Sequence, residues 1–193
     1  MEVVDGSGPE MLARRTFLKN ALGAASGAAA LGAAPAALAM AGVSARRLAF
    51  NNLHTGEALE VAYWEEGAYV PDALAAVNHV LRDYRTGDVH VIEPKLLDLL
   101  TALRVSLGTG ATVGVISGYR SPQTNAMLHE RSGQVASGSL HMLGQAIDIR
   151  IPGVDSATIR DAAMRLAIGG VGYYPTSDFV HVDIGRVRRW QGS

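Results

Sequence analysis

The chain has 193 residues, 48% of them hydrophobic, a formal net charge of -1 and no cysteine. That length suits one domain, and the near-neutral charge gives no support to nucleic-acid binding, which shows as a basic excess. Without cysteine neither a disulfide framework nor a thiolate metal site can form, so any metal must sit on His, Asp or Glu.

The first stretch reads as an address. Arg14-Arg15-Thr16-Phe17-Leu18-Lys19 precedes an Ala/Gly/Leu-rich run to about Ala34, then Pro35 and Ala37-Leu38-Ala39. A charged start, a mildly apolar middle and a small-x-small end form an export signal. The paired arginines resemble the bacterial twin-arginine type. The run is too weakly apolar for a good spanning helix. Cleavage is expected after Ala39, with Ala41 and Ala45 as alternatives. Residues 1–45 are thus signal and linker, and residues 46–193 the mature domain.

The mature part opens with residues 47–52 and 58–64 as a β-hairpin turned through His54-Thr55-Gly56. Pro71 starts a short helix running past Leu81 towards Tyr84. Pro94 starts a second, with Leu96, Leu97, Leu99, Leu100, Leu103 and Leu107 as its apolar stripe and Gly108 and Gly110 ending it. Residues 112–117 read as a central strand, followed by the loop Gly118-Tyr119-Arg120-Ser121 and a helix from Pro122 to about Glu130. After a polar Gly/Ser-rich loop comes Ser139-Leu140-His141-Met142-Leu143-Gly144. Residues 145–151 then alternate as a half-buried strand, with Ile147, Ile149 and Ile151 inward and Ala146, Asp148 and Arg150 on the other face. Gly144 permits the tight return between His141 and this strand. Asp155 or Ser156 caps a helix with Ile159, Ala162, Ala163 and Leu166 on one side, ending at Gly169-Gly170. Residues 171–174 and 179–184 form a closing hairpin. Helices come first and a mainly antiparallel sheet after them, so the class is α+β.

In Phe179-Val180-His181-Val182-Asp183-Ile184, a period of two puts the valines and Ile184 on one face and Phe179, His181 and Asp183 on the other. Pairing this strand with the one that carries Asp148 brings His141, Asp148 and His181 around one point. Two imidazoles and one carboxylate leave a tetrahedral ion one position for water, the arrangement of a catalytic rather than a structural zinc site.

Ser117-Gly118-Tyr119-Arg120, Ser139-x-His141-x6-Asp148 and Asp178-x-x-His181, in that order, resemble the zinc D-Ala-D-Ala metallopeptidases. The resemblance is nearest to their YcbK-like (MepK-like) murein endopeptidase branch and covers Leu48 to Trp190. It implies an antiparallel sheet flanked by helices, shared with lysostaphin-type peptidases and the hedgehog domain, with zinc on the sheet face. By position it makes His141, Asp148 and His181 the ligands of one zinc per chain. It makes Asp178 the general base, from an irregular segment 175–178 able to bend towards the metal. Arg120 becomes the cation that stabilises the oxyanion, with a structural ion pair as the alternative.

Asp183 shares a face with His181 and is expected to orient an imidazole. Ser139 either bonds substrate or caps its loop. Gln123, Thr124 and Asn125 either contact a peptide backbone or serve the helix start, and Tyr119, Tyr173 and Tyr174 line the cleft or pack. His54, His79, His90 and His129 fit no ligand motif, and Arg186, Arg188 and Arg189 read as a solvated basic end. The export signal places the protein in the periplasm, and the resemblance implies a zinc peptidase acting on peptidoglycan peptides, expected as a monomer. Its partnership with the twin-arginine machinery is transient, and no membrane span remains after cleavage. Rival readings are a non-catalytic wall- or partner-binding module on the same fold and a D,D-dipeptidase or carboxypeptidase.

Overall fold

The computed structural model describes residues 44–132 and 135–193, so all but the last two residues of the expected signal and linker at 1–45 lie outside the described residues. Eight strands form one sheet: β1 (Ala45–Asn52), β2 (Ala58–Glu65), β3 (Ala68–Tyr69), β4 (Val113–Ser117), β5 (Ala146–Arg150), β6 (Gly170–Tyr174), β7 (Phe179–Asp183) and β8 (Arg188–Gln191). Their order across the sheet is β3-β2-β1-β4-β5-β7-β6-β8. The α-helices among the described residues are α1 (Pro71–Val80), α2 (Pro94–Ser106), α3 (Pro122–Ser132) and α4 (Ser156–Leu166), so the class is α+β.

The sheet is mixed rather than uniformly antiparallel. β1 pairs parallel to β4, and β6 parallel to β8. The first pairing follows from the long crossover through α1 and α2, the kind of connection that parallel strands need. The second was hidden in the sequence because β8 is four residues of mostly polar chain.

One apolar cluster holds the fold together. Leu48 and Phe50 of β1, Val113 and Val115 of β4, Ile147 and Ile149 of β5, and Val180 and Val182 of β7 meet Val77, Leu96, Leu100, Leu103, Ile159 and Ala162 from the helices. The leucine stripe of α2 is core, as its spacing requires. α1 stops at Val80 instead of reaching Tyr84. The Val80 carbonyl accepts from Asn52 Nδ2 at 3.0 Å, and the Leu81 carbonyl from the Tyr119 N–H at 2.7 Å. Those last carbonyls are thereby satisfied by neighbouring segments, not by another helical turn.

Candidate metal centre

The register of the central strands builds the site. β5 and β7 pair with Ile147 opposite Val182 and Ile149 opposite Val180, which leaves Asp148 opposite His181 on the other face. On β4, a register shift between Val115 and Ser117 brings Ser117 opposite Asp148. His141 comes from a 3-10 turn, Leu140–Leu143, started by Ser139, whose Oγ accepts the His141 N–H at 3.4 Å. Gly144 ends the turn at φ 64°, and a Cβ there would run into the Val91 carbonyl, so glycine is required on both counts.

His141, Asp148 and His181 meet as a buried triad whose ligand atoms all lie within 4.8 Å of one another. His181 Nδ1 is 2.9 Å from Asp148 Oδ1 and 3.1 Å from His141 Nε2, and His141 Nε2 is 3.3 Å from the same carboxylate oxygen. Each imidazole has its outer nitrogen occupied. His141 Nδ1 donates to the Gly118 carbonyl at 2.7 Å, and His181 Nε2 donates to Asp183 Oδ2 at 3.1 Å. A carbonyl and a carboxylate can only accept, so in the neutral imidazoles both inner nitrogens present lone pairs beside Asp148.

Three acceptors this close need a proton or a cation between them; with no cation, protons on the imidazoles supply that charge. Burial works to raise the Asp148 carboxyl, yet the charge of His141 and hydrogen bonds from both imidazoles hold it far below the usual carboxylate range. Burial pushes both histidines down; it prevails at His141, while hydrogen bonds to Asp148 and Asp183 push His181 up. A tetrahedral N/O cage with bonds of about 2.0–2.1 Å has ligand–ligand edges of about 3.3–3.4 Å. The observed separations sit near that value, so the donor set fits a small divalent ion.

Around the triad, the remaining candidates separate. Arg120 is buried, with Nη2 3.4 Å from Asp148 Oδ2 and from Ser117 Oγ, Nη1 3.5 Å from Asn125 Oδ1, and a buried Nε without a partner. These are long, weak contacts for a guanidinium, and burial lowers its pKa despite Asp148. Asp183 is fully buried. It accepts from His181, from both Nη atoms of Arg188, and from the N–H groups of Gly170 and Gly185. Asn125 ties the following loop, donating to the Ala136 and Ser137 carbonyls. Gln123 is exposed at the start of α3, and Tyr119 stacks on His90 with centroids 4.7 Å apart. Neither Gln123 nor Tyr119 lines the cleft above the triad.

Asp178 is not brought to the triad. It sits at φ 49° in the turn between β6 and β7 with its side chain 67% exposed, and its carboxylate lies 3.7 Å from Arg150 Nε. Arg150 also donates to the Ser177 and Asp178 carbonyls, holding the turn on the side of a separate depression.

The cleft over the triad encloses about 730 Å³. Several of its lining residues escaped the sequence reading. The supposed solvated end is strand β8, from which Arg188 reaches Asp183 at 2.7 Å and Trp190 packs beside His181, ring centroids 5.1 Å apart. Gly172 makes room for that indole, since a Cβ there would collide with it. The alternation of Arg188 and Trp190 with exposed Arg189 and Gln191 was the available signal. His54 is no ligand, but it too lines the cleft, with Tyr84 and Arg85.

An α+β fold with a buried His/Asp/His cluster at the floor of a cleft has the donor set to hold a metal ion. Residues 40–190 match the family model described as peptidoglycan L,D-endopeptidase MepK. The chain is 45% identical over 168 residues to the peptidoglycan L,D-endopeptidase MepK of Escherichia coli (strain K12), covering 85% of this chain and 92% of that protein. The Shigella flexneri protein of the same name gives the same figures. A probable peptidoglycan L,D-endopeptidase MepK of Haemophilus influenzae is 43% identical over 148 residues, 76% of this chain and 80% of that protein. The chain belongs to the MepK family of peptidases.

Proposed function

We propose that this protein is an exported zinc peptidase that hydrolyses peptide cross-links of peptidoglycan. The observation that carries the reading is the convergence of two imidazole lone pairs and a carboxylate on one point, with both outer nitrogens already committed. The family and the names of its relatives support the substrate class. Such a substrate lies outside the cytoplasm, which agrees with reading residues 1–45 as a twin-arginine-type signal ahead of a domain at 46–193. No helix among the described residues is long and apolar enough to cross a membrane.

His141, Asp148 and His181 would hold one zinc. Bound there, zinc supplies Lewis acidity at the scissile carbonyl and lowers the pKa of the attacking water. Gly118 and Asp183 fix the tautomers and planes of the two imidazoles. Arg120, with its unpartnered Nε and slack contacts, has donors to spare for the negative charge that develops on the carbonyl oxygen. Asp178 serves as proton acceptor if the 175–178 turn releases Arg150 and swings inward; among the described residues Asp148 is the one Asp or Glu side chain that lines the cleft. That turned-out carboxylate is also what a non-catalytic binding module would show.

Metal analysis and cleavage of cross-linked muropeptide dimers by the purified protein separate these readings. The expected result is about one zinc per chain, lost in His141→Ala together with at least ~10³-fold of the activity. Asp178→Ala should keep its zinc and lose about 10²-fold in kcat. Zinc binding without cleavage of any dimer or of free D-Ala-D-Ala would leave only the binding module.

A further inference from the structure

The flank of the cleft formed by the segments after β1 and α1 carries a charge that the metal chemistry leaves unused. Arg85, Arg120 and Arg188 line this cleft with one acidic side chain, Asp148, and the terminal residue Ser193. Arg188 is bound to Asp183, and Arg120 lies against Asp148. Arg85 makes no ion pair among the described residues. Its guanidinium lies 4.2 Å over the Tyr84 ring, and Tyr84 stacks on His54 with centroids 3.9 Å apart. A guanidinium resting on an aromatic ring is pre-oriented and keeps its edge donors for a planar anion. Its charge also reaches His54, whose pKa is lowered first by burial and further by Arg85. Arg120 is itself nine-tenths buried with its Nε unpartnered, so the cleft holds two under-satisfied cations at this end.

We propose that Arg85, propped by Tyr84 and His54, receives a free carboxylate of the substrate peptide and makes the enzyme selective for acidic peptides over their amidated counterparts. The inference rests on the peptidase reading and adds the substrate feature that the cleft selects. Arg85 is a specificity residue at the rim, removed from the reacting atoms.

The test compares zinc-loaded wild type, Arg85→Gln and Arg85→Lys on a synthetic cross-linked peptide dimer with free carboxylates and on the same dimer amidated. On the free-carboxylate dimer, Arg85→Gln should raise KM about tenfold with kcat within about twofold, and Arg85→Lys should recover much of the loss. On the amidated dimer, wild type and Arg85→Gln should have the same KM, because the partner group is gone. Calorimetry with the product peptide should show the same tenfold weakening in Kd. An equal KM change on both dimers, or none, overturns the proposal. If wild type cleaves neither dimer, the peptidase reading falls. Calorimetry then still decides the role of Arg85, for which equal or absent binding of the product peptide by both proteins is a refutation.

Discussion

On the β5–β7 pair, Ile147 and Ile149 face Val182 and Val180 on one side, while Asp148 faces His181 one residue away on the other. Both faces are buried, and they are stabilised by different physics. The isoleucine face belongs to the continuous apolar cluster under α2 and α4, where each side chain contributes by leaving water. The carboxylate face gains nothing from leaving water; it persists because each of its polar atoms is met by Gly118, Arg120, Asp183 or another member of the triad. One face fixes the register and the other spends that fixed register on chemistry. A slip of one residue would exchange them, so the packing of the isoleucines is what keeps the two donors on the cleft side.

The sharpest way to break this comparison is to damage the inert face alone. Ile149 is fully buried, and Ile149→Ala should cost about 3 kcal/mol of stability, lowering Tm by roughly 10 °C. Per folded molecule, kcat should stay within about twofold, measured at a temperature where the variant remains folded. A loss of activity larger than the loss of folded protein would mean that the two faces are not separable. On the polar face the converse holds. Asp183→Asn keeps the shape while removing the charge that His181 and Arg188 both bind, and should weaken zinc affinity by about 10–100-fold in a chelator competition. An unchanged affinity would show that His181 is oriented by packing against Trp190 and not by Asp183.

This division also explains what the sequence made legible. Period-two alternation in β5 and β7 exposes an Asp and a His on the wrong side of an apolar strand, and that oddity is visible in seven residues. His141 was legible through its spacing from Gly144 and Asp148. The parallel pairings were not, because strand direction depends on long crossovers and not on local pattern. Arg188 and Trp190 were missed because the alternation in β8 spans only four residues, and three nearby arginines look like a solvated end. Asp178 has the right spacing from His181, but its turn is held outward by Arg150, a contact between residues 28 apart that no local reading supplies. Arg85 had no signal at all, since its meaning comes from stacking on Tyr84 over a cleft built by distant segments.

Asp83 offers a milder test of the same idea, since it is a buried carboxylate with no part in the metal cage. It is 1% exposed; its Oδ2 accepts from Ser121 N and Oγ at 2.9 and 2.7 Å, and its Oδ1 from the Arg85 N–H at 3.0 Å. Ser121 in turn accepts from Thr124 N at the start of α3. Burial works to raise the Asp83 pKa, but hydrogen bonds from Thr124 and Ser121 outweigh it and leave it lowered. A carboxyl with a depressed folded pKa contributes stability that is present above its unfolded value near 4 and is lost as pH falls through the folded value. Asp83→Asn should therefore cost roughly 1–2 kcal/mol at pH 7, read from urea melts, and the gap to wild type should close as pH falls through the lowered folded value. If the gap persists in acid, Asp83 acts through shape and not through charge, and buried carboxylates in this fold need no proton-linked account outside the triad.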